Sequence, residues 1–210
     1  MEKVLVAGAT GKTGRKVVQL LKTSQYFRPV AMVRKESQKA QFEKEQIDTV
    51  LGDLKEDVAH TVQDIDKVVF AAGSGGKEVV AVDQEGAKKL IDASKKEGIK
   101  KFVMLSSMGA GAPQKATELQ EYLEAKHKAD EHLRESELRY AIVRPGPLTN
   151  EKSTGKIKLG QRLGQDGSIS REDVAQTLVR ALHDDTANDK TFEILEGDTL
   201  IGKAMDKISS

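Results

Sequence analysis

The sequence predicts an α/β fold: one Rossmann-type, doubly wound, mostly parallel sheet with helices on both faces. Three observations carry this prediction. Short β-branched runs alternate with longer amphipathic stretches along the whole chain, and such alternation implies βαβ crossovers onto a parallel sheet. The first run, Val4-Leu5-Val6-Ala7, is apolar at successive positions, as a strand buried on both faces must be. It ends at once in the glycine turn Gly8-Ala9-Thr10-Gly11-Lys12-Thr13-Gly14.

The elements can be taken in chain order. After the strand at 4–7, residues 12–23 carry Val17, Val18, Leu20 and Leu21 at helical spacing,. A second strand is expected at 30–33, a polar helix at 36–45 and a third strand at 48–51 closed by Gly52-Asp53. The fourth strand spans 68–72 and closes at Gly73. A long helix at 78–97 sets Val79, Val82, Leu90, Ile91 and Ala93 on its apolar side, and Gly98 supplies its C-terminal glycine,. A strand at 101–105, a helix at 116–136 and a strand at 140–143 come next. After Pro145 the pattern loosens into a Gly- and Lys-rich stretch. Because ligands bind beyond the strand ends of such sheets, residues 146–170 are expected to form a substrate-side lid rather than a second domain. A helix at 171–183, a strand at 191–195 and a helix at 199–208 complete a single domain over 1–210.

Composition narrows the function. Lys plus Arg number 34 against 33 Asp plus Glu, a net charge of +1, so nothing favours nucleic acid or an acidic membrane surface. Aromatics are 4% of the chain, too few to suggest a base-stacking platform. With no cysteine, disulfides, thiolate metal sites and cysteine nucleophiles are excluded, which fits a reducing compartment. His127 and His132 lie off the i,i+4 spacing of a helical metal pair, and no metal site is expected. No apolar run approaches the ~20 residues of a membrane span, and Met1-Glu2-Lys3 leads directly into a strand rather than a signal peptide,. The expectation is a cytoplasmic protein, monomeric or a small homo-oligomer, with a small-molecule substrate.

Gly8, Gly11 and Gly14 follow a predicted strand and open a predicted helix, the context of a dinucleotide fingerprint,. One glycine makes the tight turn, the next lets backbone approach phosphate, and the third lets helix pack on sheet. The free amides of Thr10, Gly11, Lys12 and Thr13 would then face a pyrophosphate. Gly11-Lys12-Thr13 also matches the tail of a P-loop, but that motif needs glycine where Val6 stands,. A purely structural glycine turn is the plain alternative. At the end of the second strand, where NAD-binding sheets carry an acid, the chain reads Arg34-Lys35. Two cations suit a 2′-phosphate, and NADP(H) is the expected cofactor; the alternative is two exposed charges at a strand end.

Tyr122 and Lys126 lie one helical turn apart and so share a face,. A phenol ionises near pH ~10, and a neighbouring ammonium favours its phenolate. Such a pair can give or take the proton that balances hydride transfer. An ordinary surface helix would also contain such a pair by chance.

With these residues in place, the chain resembles the atypical short-chain dehydrogenase/reductase group, nearest its small NmrA-like and flavin-reductase-like members. The resemblance rests on GATGKTG at 8–14, Arg34, Gly52-Asp53-Leu54, Ala71-Ala72-Gly73 and Leu105-Ser106-Ser107. Further along it rests on Tyr122 with Lys126, Arg144-Pro145-Gly146-Pro147 and Asp173-Val174-Ala175. It implies that Asp53 and Leu54 flank the adenine, that Ala72 and Gly73 line the cofactor channel, and that Pro145, Gly146 and Leu148 sit by the nicotinamide. It makes Ser107 the active-site serine, with Ser106 as the alternative, and gives Lys126 a second role on the nicotinamide ribose. Where many relatives carry an asparagine that supports a proton relay, this chain has Asp83. Longer members build a sugar-nucleotide pocket from a C-terminal subdomain for which this chain has no room, so a nucleotide-sugar epimerase is not expected. The implied function is an NADP(H)-dependent reductase of a small carbonyl, quinone or flavin-like acceptor. The alternative is a non-catalytic NADP(H)-binding redox sensor acting through a protein partner.

Overall fold

The computed structural model describes residues 1–209. Strands β1 (Glu2–Ala7), β2 (Phe27–Val33), β3 (Asp48–Leu51), β4 (Lys67–Phe70), β5 (Lys101–Leu105) and β6 (Tyr140–Pro145) form the parallel part of one sheet. Two-residue strands β7 (Leu148–Thr149) and β9 (Ile169–Ser170) pair with each other beside it. Strands β8 (Lys156–Gly160), β10 (Lys190–Glu196) and β11 (Thr199–Leu200) extend the main sheet, whose order is β11-β8-β10-β6-β5-β4-β1-β2-β3. β10 is parallel to β6, while β8 runs antiparallel to β10 and β11.

Alternation within β1 shows why its run had to be apolar throughout. Val4 and Val6 face one core and Leu5 and Ala7 the other, all fully buried. Helices α1 (Lys12–Lys22), α2 (Glu36–Lys44), α5 (Arg171–Ala181) and α6 (Ile201–Asp206) cover the first face through Val17, Phe42, Leu178 and Met205. Helices α3 (Ala87–Glu97) and α4 (Gln120–Glu135) cover the second through Leu90, Ile91 and Leu133. Each buried side chain of this size stabilises the fold by about 1.5–3 kcal/mol.

Four differences from the sequence expectations have physical causes. β2 begins three residues earlier than expected, through Pro29, because β3 starts to pair only at Val30 and asks no amide of the proline,. The helix expected at 78–97 is π-helical over Val79–Gly86 and α-helical only from Ala87. The helix expected at 199–208 gives its first two residues to β11. The stretch 146–170 is not a loose insertion. Its middle is β8, fixed in the sheet by hydrogen bonding to β10, so only the segments on either side of β8 stand clear of the main sheet.

The order β3-β2-β1-β4-β5 reverses direction between β1 and β4. A crevice must open there, because the connections on either side leave toward opposite faces.

Candidate functional site

A cleft of about 790 Å³ occupies that switch point, and its lining runs across the C-terminal ends of β1, β2, β3, β4 and β5. At its centre is the glycine turn. Gly8 has φ +87°, and a Cβ on it would stand 2.5 Å from the Ala72 amide nitrogen, so only glycine lets the turn pass the end of β4. Gly11 closes the turn by donating its amide to the Gly8 carbonyl at 2.9 Å. Gly14 brings α1 against that same carbonyl, where a Cβ would sit at 2.1 Å.

The start of α1 is prepared for an anion. No side chain caps it, and its first turn carries no acid. Its first amides have no partner within the helix, and Thr10, Gly11, Lys12 and Thr13 line the cleft. Partial positive charge and unused donors therefore face the cavity, which is what a pyrophosphate requires. At the end of β2, Arg34 is exposed and also lines the cleft. Among the described residues no carboxylate lies within ion-pair distance of Arg34, Lys35 or Lys12. The Gln38 side chain accepts hydrogen bonds from the backbone amides of Arg34 and Lys35, at 3.0 and 3.2 Å, and so fixes this corner.

Asp53, Leu54, Ala72, Gly73 and Leu148 complete the part of the lining named from sequence. Lys35, Gly14, Ser107, Pro145 and Gly146 lie outside it. Gly146 is packed instead, since a Cβ there would meet Leu195 Cδ2 at 2.4 Å. The sequence reading missed Arg171 and the whole run Ser74–Glu78, all of which line the cleft. The paired glycines 75 and 76 were the available signal for that run. Leu119 falls in the stretch 108–121 expected to contact substrate but was not named: it heads α4 in the left-handed region at φ +56°, and its exposed side chain lies at the cleft.

Tyr122 and Lys126 reach the same cleft from α4. Lys126 is 3% exposed. Its Nζ lies 3.2 Å from Asp83 Oδ1, 3.4 Å from the Leu105 carbonyl oxygen and 5.7 Å from the centre of the Tyr122 ring. The two serines after β5 divide. Ser106 lines the cleft, and its hydroxyl donates to Asp130 Oδ2 at 2.8 Å. Ser107 is half-buried and donates to the Met108 carbonyl at 3.2 Å. Behind Ser106, Arg144 Nε donates to the same Asp130 oxygen at 2.9 Å. Burial pushes the Asp130 carboxyl above the ordinary carboxylate range, while Arg144 and Ser106 act the other way,.

Among the described residues no group of three or more His, Cys, Asp or Glu could hold a metal ion, and no helix is long and apolar enough to cross a membrane.

A family model described as NAD(P)H-binding matches residues 8–185. The chain belongs to this NAD(P)H-binding family. Among solved structures, a Bacillus halodurans protein whose name places it with NAD-dependent epimerases and dehydratases is 42% identical. It superposes with a TM-score of 0.93 over 99% of this chain and 100% of its own. An oxidoreductase from Lactococcus lactis, ylbE, is 30% identical with a TM-score of 0.86, covering 98% of this chain and 96% of its own. The Bacillus subtilis (strain 168) sugar epimerase YhfK, itself uncharacterized, is 39% identical over 98% of this chain and 100% of its own length. The family match begins at Gly8, the first residue of the turn that builds the cleft.

Proposed function

We propose that this NAD(P)H-binding protein is an NADP(H)-dependent reductase of a small carbonyl, quinone or flavin-like acceptor. The observation that carries the reading is the entry of Tyr122 and Lys126 into the cleft that begins at the uncapped start of α1. In this reading the amides of Thr10, Lys12 and Thr13 hold the pyrophosphate, with Gly11 letting the backbone approach it, and Arg34 takes the 2′-phosphate. Asp53 and Leu54 bound the adenine end, and Ala72, Gly73 and Leu148 bound the channel. Bound NADPH supplies hydride. Lys126 holds the nicotinamide ribose with its ammonium and keeps a positive charge beside Tyr122. The Tyr122 phenol gives its proton to the oxygen of the reduced substrate. Ser106, the one of the two serines that lines the cleft, orients that oxygen by exchanging its bond to Asp130 for one to the substrate. Leu119 gives the acceptor an apolar edge to lie against.

The test is NADPH oxidation against a panel of carbonyls, quinones and free flavins. Tyr122→Phe should lower kcat on a carbonyl by about 10²–10⁴-fold and change NADPH affinity less than about threefold. Full turnover of a carbonyl by that variant refutes the acid role. A flavin acceptor needs no protein acid, so unchanged turnover there selects the acceptor class. If no acceptor of any class oxidises NADPH, the reductase reading fails and the redox-sensor alternative takes its place.

The names of two relatives, one an NAD-dependent epimerase/dehydratase and the other a sugar epimerase, favour a second reading, epimerisation. An epimerase returns hydride to its own substrate and consumes no NADPH. Steady consumption of NADPH by an acceptor therefore separates the two.

A further inference from the structure

We infer that Asp83 is the positioning residue of this site, and that its one carboxylate anchors both the Lys126 ammonium and the glycine loop bordering the cleft. Asp83 is 1% exposed and lies on the π-helical turn Val79–Gly86, at the cleft wall. π-Turns inside helices recur at functional sites because the extra residue turns a side chain out of the regular helical row. The two carboxylate oxygens are divided. Oδ2 accepts the backbone amide of Ser74 at 3.0 Å. Oδ1 lies 3.2 Å from Lys126 Nζ, close enough for an ion pair but off the line that a hydrogen bond needs.

The Ser74 end matters because Ser74 leads into a stretch of backbone with few restraints of its own. Residues Gly73 to Glu78 all line the cleft. Gly75 and Gly76 have φ of +64° and +84°, and a Cβ on either would meet nothing within 4 Å. No side-chain packing therefore holds these two positions, and the restraints lie at the ends of the stretch. One end is the Ser74–Asp83 bond. The other is the start of the π-helical turn, where the Glu78 carbonyl accepts the Val82 amide at 2.9 Å, with an exposed pair between Lys55 Nζ and Glu78 Oε1 that contributes little in water,. The Asp83 carboxylate is thus the side-chain latch of the loop at its Ser74 end.

The lysine end matters because Lys126 is buried and has few other partners: the Leu105 carbonyl at 3.4 Å and the faces of Tyr122 and Phe70 at 5.7 and 5.8 Å. Without Asp83 the ammonium would have no carboxylate within ion-pair distance, because Asp130, which feels the Lys126 charge, is engaged by Arg144, and a buried cation without a paired counter-charge moves toward water. An asparagine here could not do both jobs. Its oxygen could still accept from Ser74, but its NH₂ would then face the ammonium donor to donor. The carboxylate makes lysine placement and loop closure one event, whichever acceptor the proposed reductase uses.

The experiment probes that split in the protein without cofactor, so its outcome does not depend on the reductase reading. Two variants, Asp83→Asn and Asp83→Ala, are compared with the parent by two readouts. One is hydrogen exchange of the Ser74 amide by NMR; the other is the rate of Lys126 acetylation by N-hydroxysuccinimidyl acetate, read by mass spectrometry. In Asp83→Asn, Lys126 should acetylate at least tenfold faster while Ser74 keeps its protection. In Asp83→Ala, both should change at least tenfold. A merely structural carboxylate would not separate the two readouts in the isosteric variant. Unchanged Ser74 exchange in Asp83→Ala, or unchanged Lys126 reactivity in Asp83→Asn, overturns the inference. NADPH binding to the parent protein is measured separately, and its absence would count against the proposed function alone.

Discussion

On the proposed NADP(H) reading, replacing Arg34 with alanine should abolish discrimination between NADPH and NADH. The side chain lies at the end of β2 on the cleft wall, has no carboxylate partner among the described residues, and stands on a backbone fixed by Gln38. It therefore has no competing ion pair to give up when a 2′-phosphate arrives. Charge-assisted hydrogen bonds to a guanidinium are worth about 1.5–3 kcal/mol. Arg34 is exposed, and solvent screening reduces this to about 1–2 kcal/mol. At ~1.4 kcal/mol per tenfold, the NADPH dissociation constant should rise about 5–30-fold, while that for NADH stays within about twofold. Calorimetry with both nucleotides at fixed salt measures the ratio, and raising the salt to ~0.5 M should shrink the difference because the pair is exposed. Lys35→Ala should cost less than about threefold, since Lys35 is not part of the lining,. An unchanged NADPH-to-NADH ratio in Arg34→Ala would refute the assignment of the 2′-phosphate to this corner.

Other perturbations address the scaffold. Gly14→Ala forces a Cβ to within 2.1 Å of the Gly8 carbonyl oxygen and should destabilise by about 3 kcal/mol or more, read as a fall of about 6–12 °C in Tm. Gly202→Ala meets nothing within 4 Å in α6 and should leave Tm unchanged or raise it slightly. Asp130→Ala leaves the Arg144 guanidinium, 7% exposed, without its counter-charge and should cost about 3–5 kcal/mol in urea unfolding; Asp130→Asn keeps an acceptor for Ser106 and Arg144 and should cost less. Burial, with the Lys67 charge adding to it, lowers Lys101 from an ordinary 10.5 to about 8. Between those values the unfolded chain binds more protons than the folded one, so stability rises with pH across that window. The rise from Lys101 should be on the order of 1–3 kcal/mol, and Lys101→Met should remove it from a comparison of urea unfolding at the two ends of the window.

Where a pattern is set by backbone need or by burial on both faces, the sequence was legible. β1 is apolar at four successive positions because each faces one of two cores, and Gly8 is glycine because the end of β4 leaves no room for a Cβ. β8 was missed although Lys156-Ile157-Lys158-Leu159 alternates with the period of a strand. Its glycine-rich flanks read as loop, and its place in the sheet depends on β10, far along the chain. The split of the helix at 78–97 had no readable signal either, because a π-turn preserves the apolar composition while changing which residues share a face,.

The site divides along the same line. The glycine turn is a local device, seven consecutive residues running from a strand end into the first turn of a helix, so the pyrophosphate role proposed for it can be read without a structure. Tyr122 and Lys126 are likewise joined by one helical turn. Other contacts link residues that only the folded sheet brings together: Asp83 to Lys126, Ser106 to Asp130, and Asp130 to Arg144. Each places an acid in the interior, where an unpaired charge is costly, so each requires a partner delivered by another element. Asp83 drew notice in the sequence only as a departure from the asparagine of related proteins. In the fold its two oxygens serve two different segments, a division that an amide could not reproduce. The residue that broke the pattern is therefore the one from which the site's coupling can be argued.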